Sequence, residues 1–358
     1  MRKRIALLLA ALLLFGFTAA CGGKKEEGRK TGLFYEGTGI SPDAVLLTVD
    51  GREIPSWRYL YWLTYNCDFI HSSYERTGDT LDWSAPLSGG SLAEYAAQQA
   101  LQSTALYATV ENWAETYGIS VTEADRRAMA DDWTEKTEHY GGEEAYLASL
   151  ADMGLERADA ETMSADYYLY SHLYDLYRTA GSGLYPADGA VERFGEEQGY
   201  LCVDKILIST EDVPEGDTEA LAQRRQRAES VFSQLNSSPD PAAGFAALAD
   251  TYSDDPDRAQ YPAGRTFLPG RGVLPAAVEE AAQSLEDGQW SGLIEAENGF
   301  YILLRKQPDE EVIAGDYFDS LLQKAAEEAE IKLEKAYQEI HTGEFYEKLT
   351  ILRRAADS

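Results

Sequence analysis

The chain has 358 residues, 44% of them hydrophobic, and carries 62 Asp and Glu against 31 Lys and Arg, for a formal charge of −31. So negative a surface repels phosphate backbones and anionic headgroups, which excludes nucleic acid as a partner. The apolar content is ordinary for a globular protein, and the length leaves room for two domains.

Met1-Arg2-Lys3-Arg4 is a cationic start, followed by an apolar run from Ile5 to Phe17, then small residues and a cysteine. This is the pattern of a secretory leader. The run is shorter than the roughly 20 apolar residues that span a bilayer. Phe17-Thr18-Ala19-Ala20-Cys21-Gly22 resembles a lipobox, with Thr18 where that pattern prefers Leu. The resemblance implies cleavage before Cys21 and a lipid on its sulfur, and hence a protein anchored at the extracytoplasmic face of the cell membrane. From Gly22 to Gly39 the chain is polar and rich in Gly, Lys and Glu, and is expected to act as a tether.

Val45–Val49 reads as a strand, Asp50-Gly51 as a two-residue turn and Arg52–Ile54 as the returning strand. Pro55-Ser56 opens a helix with Trp57, Leu60, Tyr61 and Thr64 on one face. A second helix is predicted over Leu92–Tyr117. Ser120 and Glu123 have capping-box spacing, so another should start near Thr122. Tyr167, Tyr170, Leu173, Tyr174 and Tyr177 form a helical stripe that suits either a packed core face or a surface for client chains. Composition shifts at Gly199. Cys202–Ile208 is strand-like, Thr218–Leu235 and Phe245–Tyr252 are helical, and Pro256–Pro275 is a Gly/Pro-rich loop. A short helix follows through Glu279-Glu280-Ala281-Ala282. Gly292–Ala296 and Phe300–Arg305 then form a hairpin through Glu297-Asn298-Gly299. From about Asp316 to Leu349 a single long helix is expected. Cys67 and Cys202 read as two buried thiols, although an oxidising compartment permits a disulfide. His71, His139, His172 and His341 have no metal-ligand spacing, and neither metal nor cofactor is expected.

Four blocks in order then carry a family resemblance. "VDKILIST" at Val203–Thr210, "FAALADTYSDDP" at Phe245–Pro256, "PGRGVLPAAVEEAAQSLEDGQWS" at Pro269–Ser291 and "ENGFYILL" at Glu297–Leu304 resemble the parvulin-type peptidyl-prolyl isomerases. With the lipobox, the "TVDGREI" hairpin and "GISVTEAD", the whole chain resembles the PrsA/SurA-like extracytoplasmic foldases. The resemblance implies an α+β protein: a mostly helical chaperone domain interrupted by a parvulin-like α+β module. The expected boundaries are a lipoprotein signal peptide at 1–20, a tether at 21–43, the N-terminal chaperone domain at 44–198, the isomerase-like module at 199–308, and a C-terminal helix at 309–358 returning to the chaperone domain. Its partners would be unfolded or nascent exported polypeptides and their X-Pro segments.

Rotation about an X-Pro amide faces a barrier of about 18–20 kcal/mol. An isomerase needs only an apolar grip on the proline ring and polar groups that favour the twisted amide. The family builds these from two histidines, an acidic or cysteine residue, a methionine and a phenylalanine. Here the resemblance places Asp255 at the acidic position, Lys205 and Tyr301 at the two histidine positions, Leu274 at the methionine position and Val278 at the phenylalanine position. Phe267 joins Leu274 and Val278 as a substrate-binding candidate. Neither an ammonium nor a phenol reproduces an imidazole with one donor and one acceptor, and Val278 removes an aromatic floor. Lys205 is therefore expected to pair with Asp255, which is also a natural turn or capping residue. Two functions follow: a proline isomerase, or a holdase chaperone whose module is a scaffold or a peptide-binding surface. The helical flanks argue against a solute-binding lipoprotein.

Overall fold

The computed structural model describes residues 28–87, 89–239 and 241–356. The leader and Cys21 lie outside the described residues. In chain order, the elements begin with α1 (Leu33–Thr38), β1 (Val45–Val49), β2 (Arg52–Pro55), α2 (Ser56–Thr77), β3 (Pro86–Leu87), β4 (Gly90–Ser91) and α3 (Leu92–Thr116). There follow α4 (Glu123–His139), α5 (Glu143–Asp152), α6 (Arg157–Arg178), α7 (Ala190–Gln198), β5 (Leu201–Ser209), α8 (Thr218–Asn236) and α9 (Pro241–Tyr252). Next come β6 (Arg265–Phe267), α10 (Ala276–Gln283), β7 (Ile294–Ala296), β8 (Gly299–Lys306) and α11 (Glu310–Glu328), and the chain ends with β9 (Ile331–Leu333) and α12 (Thr342–Ala356). Among the described residues, no helix is long and apolar enough to cross a membrane. The chain divides into two compact units, one made of residues up to 108, 122–166 and 329 onward, the other of 109–121 and 167–328.

In the first unit, β1 pairs antiparallel with both β2 and β9. Asp50 and Gly51 both take positive φ, at 49° and 84°, the geometry that Asp-Gly supplies to a two-residue hairpin. Leu46, Leu47, Val49 and Ile54 of this sheet are buried, as are Trp57, Leu60 and Leu63 of α2. Arg58 is buried with them and forms an ion pair with Asp166. Helix α4 starts where the sequence predicts, but its capping box is Thr122 with Asp125 rather than Ser120 with Glu123. Asp125 reaches both the Thr122 amide and hydroxyl at 2.7 Å.

The tether expected through residue 43 is corrected here. Residues 33–38 form α1, because Phe34 supplies an apolar anchor that the polar composition concealed. Its ring lies 6.4 Å from Phe345 of α12 and against Gly154, where an added Cβ would meet the ring at 2.3 Å. Arg29 secures the segment by bonding Asp43 at 2.8 Å and Asp159 at 2.7 Å. The single C-terminal helix is likewise corrected to α11, β9, a 3-10 turn and α12. Pairing of Leu47 with Leu333 and Val49 with Ile331 explains the break, since β9 must be extended to join β1.

The second unit is built on a four-stranded antiparallel sheet in the order β6-β5-β8-β7. Strand β5 is central and buried on both faces. Ile206, Ile208, Phe300 and Ile302 meet α8 and α9 through Val231, Leu235 and Phe245. Leu201, Val203, Leu207 and Leu303 meet α10 and the preceding loop through Leu274, Val278 and Ala282. Gly299 passes so close to β5 that a Cβ would lie 2.4 Å from the Ile208 carbonyl, so the "ENGF" turn requires its glycine. Most of the tyrosine stripe of α6 packs inward: Leu173 is buried, and Tyr170, Tyr174 and Tyr177 surround buried Phe318 at ring distances of 5.5, 5.4 and 5.1 Å, whereas Tyr167 is 67% exposed. Cys67 in the first unit and Cys202 in the second are both buried free thiols.

Candidate functional site

Antiparallel register sets Lys205 opposite Leu303 and Leu207 opposite Tyr301. Lys205 and Tyr301 therefore share one face of the sheet as diagonal neighbours. Loop residues 253–257 run over the end of β5, tied down by the Leu207 amide donating to Ser253 Oγ at 3.0 Å and the Asp254 amide donating to the Leu207 carbonyl at 2.7 Å. This brings Asp255 to Lys205, whose Nζ lies 2.8 Å from Asp255 Oδ1 and 3.6 Å from Asp257 Oδ2. Both side chains of the closer pair are nearly excluded from water, at 9% and 5% exposure. Asp255 also caps the 3-10 turn at Pro256–Ala259, accepting from the Asp257 amide at 3.1 Å. The two sequence readings of Asp255, capping residue and partner of Lys205, thus hold together.

Three of the five family positions, with Phe267, form the apolar layer on this face. Tyr301, Leu274, Val278 and Phe267 belong to one cluster with relative exposures between 0% and 7%. The Tyr301 hydroxyl donates to Asn298 Oδ1 at 3.0 Å. Burial pushes that phenol up; the Asn298 bond opposes the shift and the Asp255 charge adds to it, so Tyr301 is a neutral donor at physiological pH. Val278 is fully buried under the sheet, where it fills core volume instead of flooring an open pocket. A cleft of about 240 Å³ lies to one side, bounded by Tyr261, Arg265, Thr266, Phe267, Val273 and Val312 among others. Of the five positions and Phe267, only Phe267 borders it.

The electrostatics extend beyond the residues that the sequence singles out. Asp257 also receives Arg265 at 2.5 Å, and the Arg265 guanidinium lies over the Tyr261 ring at 5.1 Å. On the opposite face of β5, buried Asp204 accepts from Arg258 at 3.0 Å, Lys306 at 3.3 Å and the Lys205 amide at 2.9 Å. Arg258 continues to Asp250 at 2.6 Å. Two charge chains therefore flank the central strand. The signal for both was the Asp204-Lys205 pair inside an apolar strand, since buried charges require partners. Glu279 was also missed as a functional group. Its buried carboxylate accepts from the amides of Gly270 at 2.7 Å and Leu274 at 3.3 Å, which seats the Gly-Arg-Gly loop.

At these positions the polar groups are engaged with one another or with Asn298, and the apolar ones are buried. Among the described residues, no cluster of three or more His, Cys, Asp or Glu is placed to hold a metal ion.

Comparison with known proteins bears on the module and on the chain separately. Residues 206–307 match the family described as Rotamase: PPIC-type PPIASE domain. The chaperone SurA of Thiobacillus denitrificans is 37% identical over 99 residues, 27% of this chain and only 21% of that protein. Among solved structures, foldase protein PrsA from Streptococcus pneumoniae is similar with a TM-score of 0.28 and 18% identity, covering 88% of this chain and 94% of that one. PrsA from Bacillus subtilis gives 0.26 and 13%, covering 89% and 94%. The chain is a mostly helical protein in which residues 206–307 match the PPIC-type rotamase domain.

Proposed function

We propose that this protein is an extracytoplasmic chaperone of the foldase type, held at the membrane surface by a lipid on Cys21, which binds unfolded exported polypeptides. In this reading its PPIC-type module serves as scaffold and peptide-binding surface, and not as an efficient proline isomerase. The secretory leader and the lipobox-like segment support the location, and the family match at 206–307 supports the foldase class.

The observation that carries the loss of catalysis is the buried Lys205–Asp255 pair at 2.8 Å. Lys205 Nζ and Asp255 Oδ1 are committed to each other, and neither an ammonium nor a carboxylate so paired supplies the donor-and-acceptor imidazole of the resembled site. Separating the two in place would leave each charge buried without its counter-ion, at a cost of several kcal/mol. Leu274 and Val278 are buried in the core cluster of the module, and valine in place of phenylalanine leaves a proline ring no aromatic face to stack on.

The test is to add the full chain to a chemically unfolded client that aggregates on dilution and also refolds through a proline-limited phase. The expected result is suppressed light scattering at near-stoichiometric chaperone, with the slow refolding phase unchanged. Acceleration of that phase at substoichiometric amounts, lost in Asp255→Ala, would instead establish the isomerase reading, which the family match favours.

A further inference from the structure

Helix α2 has two apolar faces. One is the core face already described. The other carries Trp62, Tyr65 and Phe69 at helical spacing i, i+3, i+7, with Tyr65 56% and Phe69 64% exposed. Trp62 stacks on Tyr107 of α3 at 5.1 Å and meets Tyr65 edge-on at 5.8 Å, and Phe69 follows Tyr65 one turn on along the same face of the helix. Contiguous exposed aromatics of this kind are uncommon on a surface with no partner.

We propose that the Trp62–Tyr65–Phe69 ridge is a docking surface for unfolded polypeptide segments that carry lysine or arginine among apolar residues. The inference rests on the chaperone reading above and names the chemistry of its clients. Charge selects the occupant. The ridge runs toward the C-terminal end of α2, where the helix dipole presents about half an elementary negative charge. Exposed Glu75 and Asp79 lie at that end. Glu75 has His71 beside it at 3.8 Å, and Arg76, the cation of the last turn, is engaged with Ser72 and Ser73. Elsewhere in the same unit, α4 and α5 carry nine carboxylates against three Lys or Arg, a field that draws in cationic chains. The rings themselves are suited to cations. Tyr107 already holds the Arg58 guanidinium over its face at 5.9 Å, and aromatic faces attract lysine and arginine generally. An acidic segment would meet repulsion at the same place.

The experiment uses the full chain and two fluorescein-labelled peptides, one alternating Lys with Leu and the other Glu with Leu, followed by anisotropy at low and high salt. The expected result is binding of the Lys–Leu peptide at least about tenfold tighter than the Glu–Leu peptide, a preference of about 1.4 kcal/mol, weakening as salt rises. The double variant Tyr65→Ser, Phe69→Ser should keep the wild-type circular dichroism and lose about tenfold in affinity for the Lys–Leu peptide. Equal affinity for both peptides, or unchanged affinity in a folded double variant, would overturn the proposal. So would light scattering that finds a dimer converted to monomer by the double variant, since the ridge would then belong to a second copy. Failure of the wild type to suppress client aggregation would count against the chaperone reading itself.

Discussion

A lysine in the middle of a buried strand must be matched by a carboxylate or it will not stay charged there, and Lys205 is matched by Asp255. That pair occupies two positions at which the resembled family carries catalytic groups. Removing one partner leaves the other charge buried alone, so Lys205→Ala should cost about 3–5 kcal/mol in urea unfolding. The double variant Lys205→Met, Asp255→Leu should recover most of it, less about 1 kcal/mol for the lost cap of the 3-10 turn. A Lys205→Ala protein as stable as wild type would mean that the pair is open to water. The pairing was legible in the sequence because both residues fell at aligned positions within recognisable blocks. The partners of Asp204 were not, since Arg258 and Lys306 lie 54 and 102 residues away in the chain and only the folded sheet brings them together.

Elements with a strong local signal were readable in advance. The Asp50-Gly51 hairpin, the α2 core face and the β5, α8, α9, α10, β7, β8 succession follow from turn chemistry and periodicity. Elements defined by distant partners were not. Strand β9 has three residues, and only pairing with β1 makes it a strand. Helix α1 has six residues and is ordered by Phe34 and by Arg29. The latter contact gives α1 a pH dependence. Asp43 is raised by its partial burial, but hydrogen bonds from the Arg29 amide and guanidinium outweigh this and hold it below the usual carboxylate range. A depressed carboxylate contributes stability that is fully present above its unfolded value and is lost as pH falls through its folded one. Amide exchange in residues 33–38 should therefore quicken as pH drops below about 4, after correction for intrinsic rates. Arg29→Gln should show fast exchange already at neutral pH. Protection in that variant equal to wild type would assign the ordering of α1 to Phe34 alone.

At the scale of the whole molecule, a leader-like N-terminal sequence, an acidic composition, an aromatic ridge and a PPIC-type match whose family positions hold a buried ion pair fit the task proposed above, holding exported chains near a membrane. A lipid tether would raise the local concentration of such a chaperone where clients emerge, so weak contacts would suffice. The claim on which this account turns is that the module does not efficiently catalyse proline isomerisation. Exchange NMR on a short Ala-Pro-containing peptide measures that directly, with the full chain added at increasing concentration. The account predicts cis–trans exchange that stays at the uncatalysed rate throughout, for wild type and Asp255→Ala alike. Exchange that rises in proportion to added protein and disappears in Asp255→Ala would contradict it.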